Sequence, residues 1–173
     1  KAVQVRWAQR PEGALDTQRI QAQLQARLAS DKGFTFYDKG DVAQAEAAAK
    51  RVIQAQYTAP YLAHATLEPM NCTAQVKDGK VLVWVPTQVP GMARAAAARV
   101  AGVKDEQVTL HVTLLGGGFG RRLEVDFVAQ AVRIAMQCEG KPVQLSWSRE
   151  EDMTHDFYRP MHVAHLSAAV NAQ

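Results

Sequence analysis

Four glycines within five residues, Gly116-Gly117-Gly118-Phe119-Gly120, constrain this chain more than any other stretch. Before them, residues 107–115 (QVTLHVTLL) read as a strand, with Val108, Leu110, Val112 and Leu114 on one parity. After them, residues 124–136 read as a helix. Val125, Val128, Ala129, Val132, Ala135 and Met136 form one stripe, and Glu124 and Asp126 stand in the first turn, where the helix dipole favours acids. The local order is therefore strand, glycine loop, helix. Glycine has no side chain to hold a ligand off and tolerates positive φ, so loop N–H groups can converge on an anion. A helix N-terminus aims partial positive charge at the same place. Arg121 and Arg122 add two guanidinium forks of a kind suited to phosphate.

Two common anion motifs are excluded. A GxGxxG fingerprint needs glycine where Arg121 or Leu123 stands, and no GK[ST] follows for a P-loop. By spacing alone, a glycine-rich bulge or tight turn with solvated arginines remains a full alternative.

The 173 residues are 47% hydrophobic and 21% charged, an ordinary globular composition long enough for one or two domains with a core. The net charge of +3 is spread along the chain, which gives no nucleic-acid footprint. No apolar run approaches a membrane span. Two cysteines, Cys72 and Cys138, make no disulfide framework; they read as free thiols, or as one pair in an oxidising compartment. The chain opens within an alternating pattern (KAVQVRW) and reads as a piece of a longer polypeptide.

Taken in order, the pattern predicts an α+β fold of mixed and antiparallel sheets with packed helices. Residues 1–7 read as a strand and 9–13 as a turn. Asp16 caps a helix through about Ala29. Phe34 to Tyr37 reads as a short strand, residues 41–50 as an alanine-rich helix, and 51–57 as a strand. Residues 58–72 carry two prolines and form a shaped loop. His64, Glu68 and Cys72 there match no common zinc spacing, and a buried Glu68 bonded to backbone N–H groups is the more natural reading. Asp78-Gly79 between alternating runs marks a hairpin. Gln88 follows its second strand and precedes a helix over 92–100 that Gly102 stops; it is either a functional amide or a loop cap. Residues 141–147 are a further strand, Ser148 to Glu151 opens a short helix, and 161–170 is a last strand. His162 and His165 have opposite parity on it, so they do not share a metal.

The series His64-Ala65-Thr66-Leu67-Glu68-Pro69, Thr87-Gln88, Gly116 to Arg122, and Arg149 to Met153 resembles the molybdenum-binding large subunit of the xanthine dehydrogenase / aldehyde oxidase family. The GGGFGRR form with LEPMNC upstream is most similar to the isoquinoline 1-oxidoreductase β-subunit branch. The resemblance runs over about 51–173 and more loosely over 1–50. It implies an upstream α/β segment of the parent subunit at 1–50 and a molybdopterin-binding-domain portion at 51–173. It implies a molybdopterin cofactor, extended by cytosine dinucleotide in many bacterial members, and 2Fe–2S clusters on an iron–sulfur partner subunit. The implied reaction is hydroxylation of an N-heterocycle or an aldehyde with water as oxygen source. Gln88, Gly117, Gly118, Phe119, Gly120 and Arg121 are the implied cofactor-binding residues, with Gln88 and the Phe119 N–H nearest the metal.

Two departures bear on substrate. Xanthine-oxidising members have a glutamate four positions after the phenylalanine, where this chain has Leu123. Either Tyr158 or Arg159 occupies the place of a family arginine. Leu123, Tyr158 and Arg159 are thus the substrate-pocket candidates. The family's general-base glutamate lies beyond Gln173, so the resemblance implies that this stretch is inert without the remaining domains of its subunit. A stand-alone phosphate or nucleotide module and a non-catalytic scaffold are the competing readings.

Overall fold

The computed structural model describes residues 4, 6, 8, 15–30 and 33–171. The strand expected over 1–7 and the turn over 9–13 lie outside the described residues, apart from three isolated positions. In chain order the elements are α1 (Thr17–Ser30), α2 (Val42–Ala48), β1 (Arg51–Ala59), β2 (Asn71–Lys77), β3 (Lys80–Val85), α3 (Pro90–Ala101), β4 (Val108–Val112), α4 (Asp126–Ala135), β5 (Val143–Ser146), α5 (Arg149–Thr154) and β6 (His162–Val170). They fall into two compact units. One holds the described residues up to Tyr61 and from Pro160 onward, and the other is Leu62–Arg159. The division thus runs on either side of the 62–159 stretch, whereas the sequence reading separates 1–50 from 51–173.

In the first unit, β1 and β6 pair antiparallel, from Arg51 opposite Val170 to Ala59 opposite His162. Asp16 accepts a hydrogen bond from the Arg19 N–H (2.7 Å) at the start of α1, and Asp41 accepts from the Gln44 N–H (2.9 Å) at the start of α2. Both are capping carboxylates at the position where a helix has orphan donors. Phe34 to Tyr37 is not a strand. A strand needs a ladder partner, and this run has none among the described residues; its rings stand in solvent, Phe36 at 93% exposure.

The second unit is a four-stranded sheet in the order β4-β3-β2-β5, with β3 and β4 parallel and the other pairs antiparallel. The β2–β3 turn is the expected hairpin: Asp78 and Gly79 both take positive φ (48° and 69°), the type I′ pattern that matches strand twist. Alternation puts Val81, Val83 and Val85 of β3 on the face covered by helices α3 and α4, with Cys72 and Ala74 beside them. Helix α4 adds Phe127, Val128, Ala131, Val132 and Ala135, all fully buried. Small residues of α3 (Ala93, Ala97, Ala98) let that helix sit close, and Gly102 ends it in the left-handed region (φ 70°) as expected. Ser148 caps α5 through the Glu151 N–H (3.1 Å).

Several element boundaries differ from the sequence reading, and two of them bear on the glycine loop. β4 ends at Val112 rather than running to Leu115, and α4 begins at Asp126 rather than Glu124. After Val112 the chain leaves the ladder, with the Thr113 N–H donating to the Val85 carbonyl (3.2 Å). A 3₁₀ turn over Arg121–Leu123 separates the glycines from α4. Among the described residues no helix is long and apolar enough to cross a membrane. Both cysteines are free thiols; burial pushes the Cys72 thiol up to about 12, because a thiolate there would lose its water.

Candidate functional site

Topology brings four connections to one end of the sheet. β3 and β4 are parallel, so the segments after Val85 and Val112 leave at the same edge. β2 is antiparallel to β3 and β5 to β2, so the segment entering β2 at Asn71 and the one leaving β5 after Ser146 lie there too. Residues 62–70, 86–89, 113–125 and 147–159 therefore meet, although they are far apart in sequence.

The glycine loop is built against the 62–70 segment. Gly116 and Glu68 bond reciprocally: the Glu68 N–H donates to the Gly116 carbonyl (3.0 Å), and the Gly116 N–H donates to Glu68 Oε2 (2.8 Å). A Cβ on Gly116 would lie 2.3 Å from the Glu68 Cβ, so only glycine fits this approach. A turn follows in which the Arg121 N–H donates to the Gly118 carbonyl (2.9 Å), with Phe119 (φ 54°) and Gly120 (φ 106°) at its centre. Positive φ at an aromatic residue costs roughly 1–3 kcal/mol and persists where surroundings over-determine it. The Phe119 ring is 76% exposed, so burial of that ring does not offset the cost. The N–H groups of Gly117, Gly118 and Phe119 have no partner among the described residues. Gln88 faces the loop: its Oε1 accepts from the Gly120 N–H (3.2 Å), and a Cβ on Gly118 would lie 2.6 Å from that oxygen. With Oε1 so engaged, the Gln88 amide NH₂ is the group left to donate.

The two arginine side chains are buried and paired within the protein, where the sequence suggests open guanidinium forks. Arg121 and Arg122 are among the most deeply buried side chains of the protein. Arg121 grips Asp126 bidentately (3.0 and 2.8 Å), and its guanidinium lies 5.4 Å from the Trp147 ring and 5.3 Å from the Phe157 ring. Its Nε is 3.3 Å from Asp156 Oδ1, without hydrogen-bond geometry. Arg122 donates to the carbonyls of Gly117 (2.7 Å), Pro86 (3.2 Å) and Glu68 (2.9 Å) and to Glu68 Oε2 (2.8 Å). Burial pulls the Arg122 guanidinium below its ordinary value; Glu68 and Asp152 oppose this, and Arg121 adds to it. A charge at this depth persists because it is paired and hydrogen-bonded. A 3₁₀ turn over Arg121–Leu123 stands between the glycines and the start of α4, where Asp126 holds Arg121.

Glu68 accepts from the Gly116 N–H as expected, but it is half-buried rather than buried, and its main partner is the unexpected Arg122. Asn71 Nδ2 completes it at Oε1 (2.8 Å). His64 bonds Asp156 through Nδ1 (2.9 Å), so His64 and Glu68 serve different partners. Arg149 ties α5 to the same segment, donating to the Thr66 and Leu67 carbonyls (2.6 and 2.8 Å) and to Asp152 (2.8 Å). Sequence reasoning missed Asp156 and the loop-holding work of Arg149, because both depend on partners more than eighty positions away. Leu123 sits half-exposed at the end of the 3₁₀ turn, one residue past Arg122. Tyr158 donates its hydroxyl to the Met153 carbonyl (2.7 Å), and the Arg159 backbone pairs with Leu62.

Comparisons with known proteins give the family and the fold. A family model described as Molybdopterin cofactor-binding domain matches residues 25–173. The isoquinoline 1-oxidoreductase subunit beta of Brevundimonas diminuta is 37% identical over 107 residues, covering 61% of this chain and 14% of that protein. The membrane-bound aldehyde dehydrogenase (pyrroloquinoline-quinone) of Gluconacetobacter polyoxogenes is 35% identical over 139 residues, 80% of this chain and 18% of that one. Among solved structures, the aldehyde oxidoreductase of Desulfovibrio gigas aligns with TM-score 0.62 at 20% identity, over 76% of this chain and 15% of that chain, and shows the same fold. The chain thus spans less than a fifth of the length of these relatives. With nearly the whole chain inside the family match and the glycine loop built as described, this chain belongs to the molybdopterin cofactor-binding domain family.

Proposed function

We propose that the glycine loop and Gln88 form one wall of the molybdenum site of a molybdenum hydroxylase. Gly117, Gly118, Phe119, Gly120 and Gln88 are its cofactor-contacting residues. The observation that carries this reading is the row of three N–H groups, Gly117 to Phe119, without partners among the described residues, beside an amide donor on Gln88. Neutral donors fixed in place suit an anionic, oxygen-rich group, since they stabilise charge without reorganising. Two further observations support the fit: Gly118 packs directly on the Gln88 amide, with no room for a Cβ between them, and Phe119 holds a strained backbone in the same turn.

When bound, the molybdopterin group supplies the two-electron oxidation of an electron-poor carbon, with water as oxygen source and electrons leaving through 2Fe–2S clusters on an iron–sulfur partner. The cytosine dinucleotide form of the cofactor belongs to this proposal. So does a substrate that is an N-heterocycle or an aldehyde, because Leu123 offers no carboxylate to a purine. The chain's own residues position and exclude: the loop presents donors, Gln88 borders them, and Arg121 and Arg122 hold the loop from behind. Tyr158 and Arg159 stay as substrate-side candidates. The stand-alone phosphate module loses its two cations, which are buried and paired.

The test is molybdenum content of the full-length subunit co-expressed with its iron–sulfur partner, wild type beside Gly118→Val and Gln88→Ala. Wild type carries stoichiometric molybdenum. Gly118→Val, whose side chain meets Gln88, loses about tenfold occupancy, equivalent to ~1.4 kcal/mol. A folded, iron-replete wild type without molybdenum ends the proposal. The name of the Gluconacetobacter relative carries a quinone instead, so the same preparation is assayed for bound pyrroloquinoline quinone. Quinone in place of molybdenum would favour that second reading.

A further inference from the structure

We propose that Arg122, held by Glu68, is a positioning residue that turns the Gly117–Gly118 peptide so that its N–H faces the cofactor; this rests on the function proposed above. In a trans peptide the C=O and the N–H point in opposite directions. The described chain has no cis peptide. Three successive carbonyls of the loop are held by the protein: Gly116 O by the Glu68 N–H (3.0 Å), Gly117 O by Arg122 Nε (2.7 Å) and Gly118 O by the Arg121 N–H (2.9 Å). The N–H groups on the far side of those same three peptides belong to Gly117, Gly118 and Phe119. These are the three that no group among the described residues accepts. Fixing the carbonyls inward is what turns the donors outward.

Two of the three holders are backbone amides, which any side chain would leave in place. The third is a side chain, and its role can be tested by substitution. Glycine peptides rotate easily, so the central peptide of the three needs a fixed partner. Arg122 is suited to this because its other donors are also committed, to Pro86 O, Glu68 O and Glu68 Oε2. A planar fork held at three other points cannot swing away from Gly117. Pro86 lies two residues before Gln88, and the Gln88 N–H donates to the Arg122 carbonyl (3.1 Å). One residue therefore ties the glycine loop and the Gln88 segment to a common frame. Glu68 completes the device, because its Oε2 accepts from both Arg122 and the Gly116 N–H while Oε1 accepts from Asn71. A glutamine at 68 has one acceptor oxygen and cannot serve all three.

The experiment measures N–H bond direction by residual dipolar couplings on the ¹⁵N-labelled 173-residue chain, wild type beside Arg122→Lys and Glu68→Gln. The Gly118 coupling shifts in both variants, while the Val83 and Val132 couplings in the core keep their wild-type values. Should Arg122→Lys fail to fold, Glu68→Gln carries the test, since its side chain is half-buried and nearly isosteric. The same substitutions in the full-length subunit lower molybdenum content about tenfold, or ~1.4 kcal/mol of binding. An unchanged Gly118 coupling in a folded variant overturns the positioning role. A shifted coupling with wild-type molybdenum content overturns its link to the cofactor. A wild-type subunit without molybdenum fails the cofactor reading itself, and is told apart because wild type then fails with the variants.

Discussion

The two units of this chain obey the same local rules and bury very different amounts of themselves. β1 and β6 form a complete antiparallel ladder, yet every residue on both strands is exposed or only half-buried. β3 alternates no more regularly in sequence, and Val81, Val83 and Val85 are fully buried. The helices repeat the contrast. α1 buries none of its residues, whereas α4 buries five. Backbone ladders and capped helices form wherever propensity and pairing allow, but a core needs a second layer facing the first. In Leu62–Arg159 that layer is α3 and α4. The candidate site sits in the unit that has the core, where a rigid sheet end can hold loops in place.

Substitutions sharpen this contrast. Phe127→Ala empties a fully buried site under the sheet and should cost ~3–5 kcal/mol by denaturant unfolding; a loss under about 1 kcal/mol would mean that α4 is not packed as described. Cys72 belongs to the same core, and its thiol is held protonated up to about 12. The unfolded thiol ionises near 9.0, so Cys72 adds stability below that pH that is lost as pH rises from 9.0 towards 12. Near neutral pH a thiol reagent should modify Cys138 in the folded chain and reach Cys72 only on unfolding. Fast modification of both would place Cys72 outside the core. At the small end, Phe36→Ser removes a ring that is 93% exposed and should change stability by less than about 0.5 kcal/mol. A larger loss would show that the first unit packs its aromatic residues after all.

Much of the fold was legible because its signals are local. Asp78-Gly79, Gly102, Asp16 and Ser148 each act within a few residues, through positive φ or through a side chain that satisfies an orphan N–H, and each acts as read; Asp41 caps α2 in the same way, although its stretch reads from sequence only as helical by propensity. The strand expected at Phe34 to Tyr37 failed because pairing is not local: an apolar run becomes a strand only if another strand reaches it. The end of β4 was misplaced for a related reason. Leu114 continues the parity of Val108 and Leu110, but at 94% exposure it has left the ladder and the core.

The site divides in the same way. Sequence alone located the glycine loop, set Gln88 beside a strand end and supplied the family through a series of short motifs, because glycine spacing and motif order are properties of the chain itself. Tertiary structure decided what the arginines do. Arg121 and Arg122 read as solvent-facing forks in isolation, and they are buried ties because Asp126, Asp156, Glu68 and the Gly117 and Pro86 carbonyls surround them. Those partners converge only when parallel and antiparallel strands deliver four loops to one end of a sheet. A guanidinium points towards whatever satisfies it at the lowest desolvation cost, and its sequence neighbours do not specify what that will be.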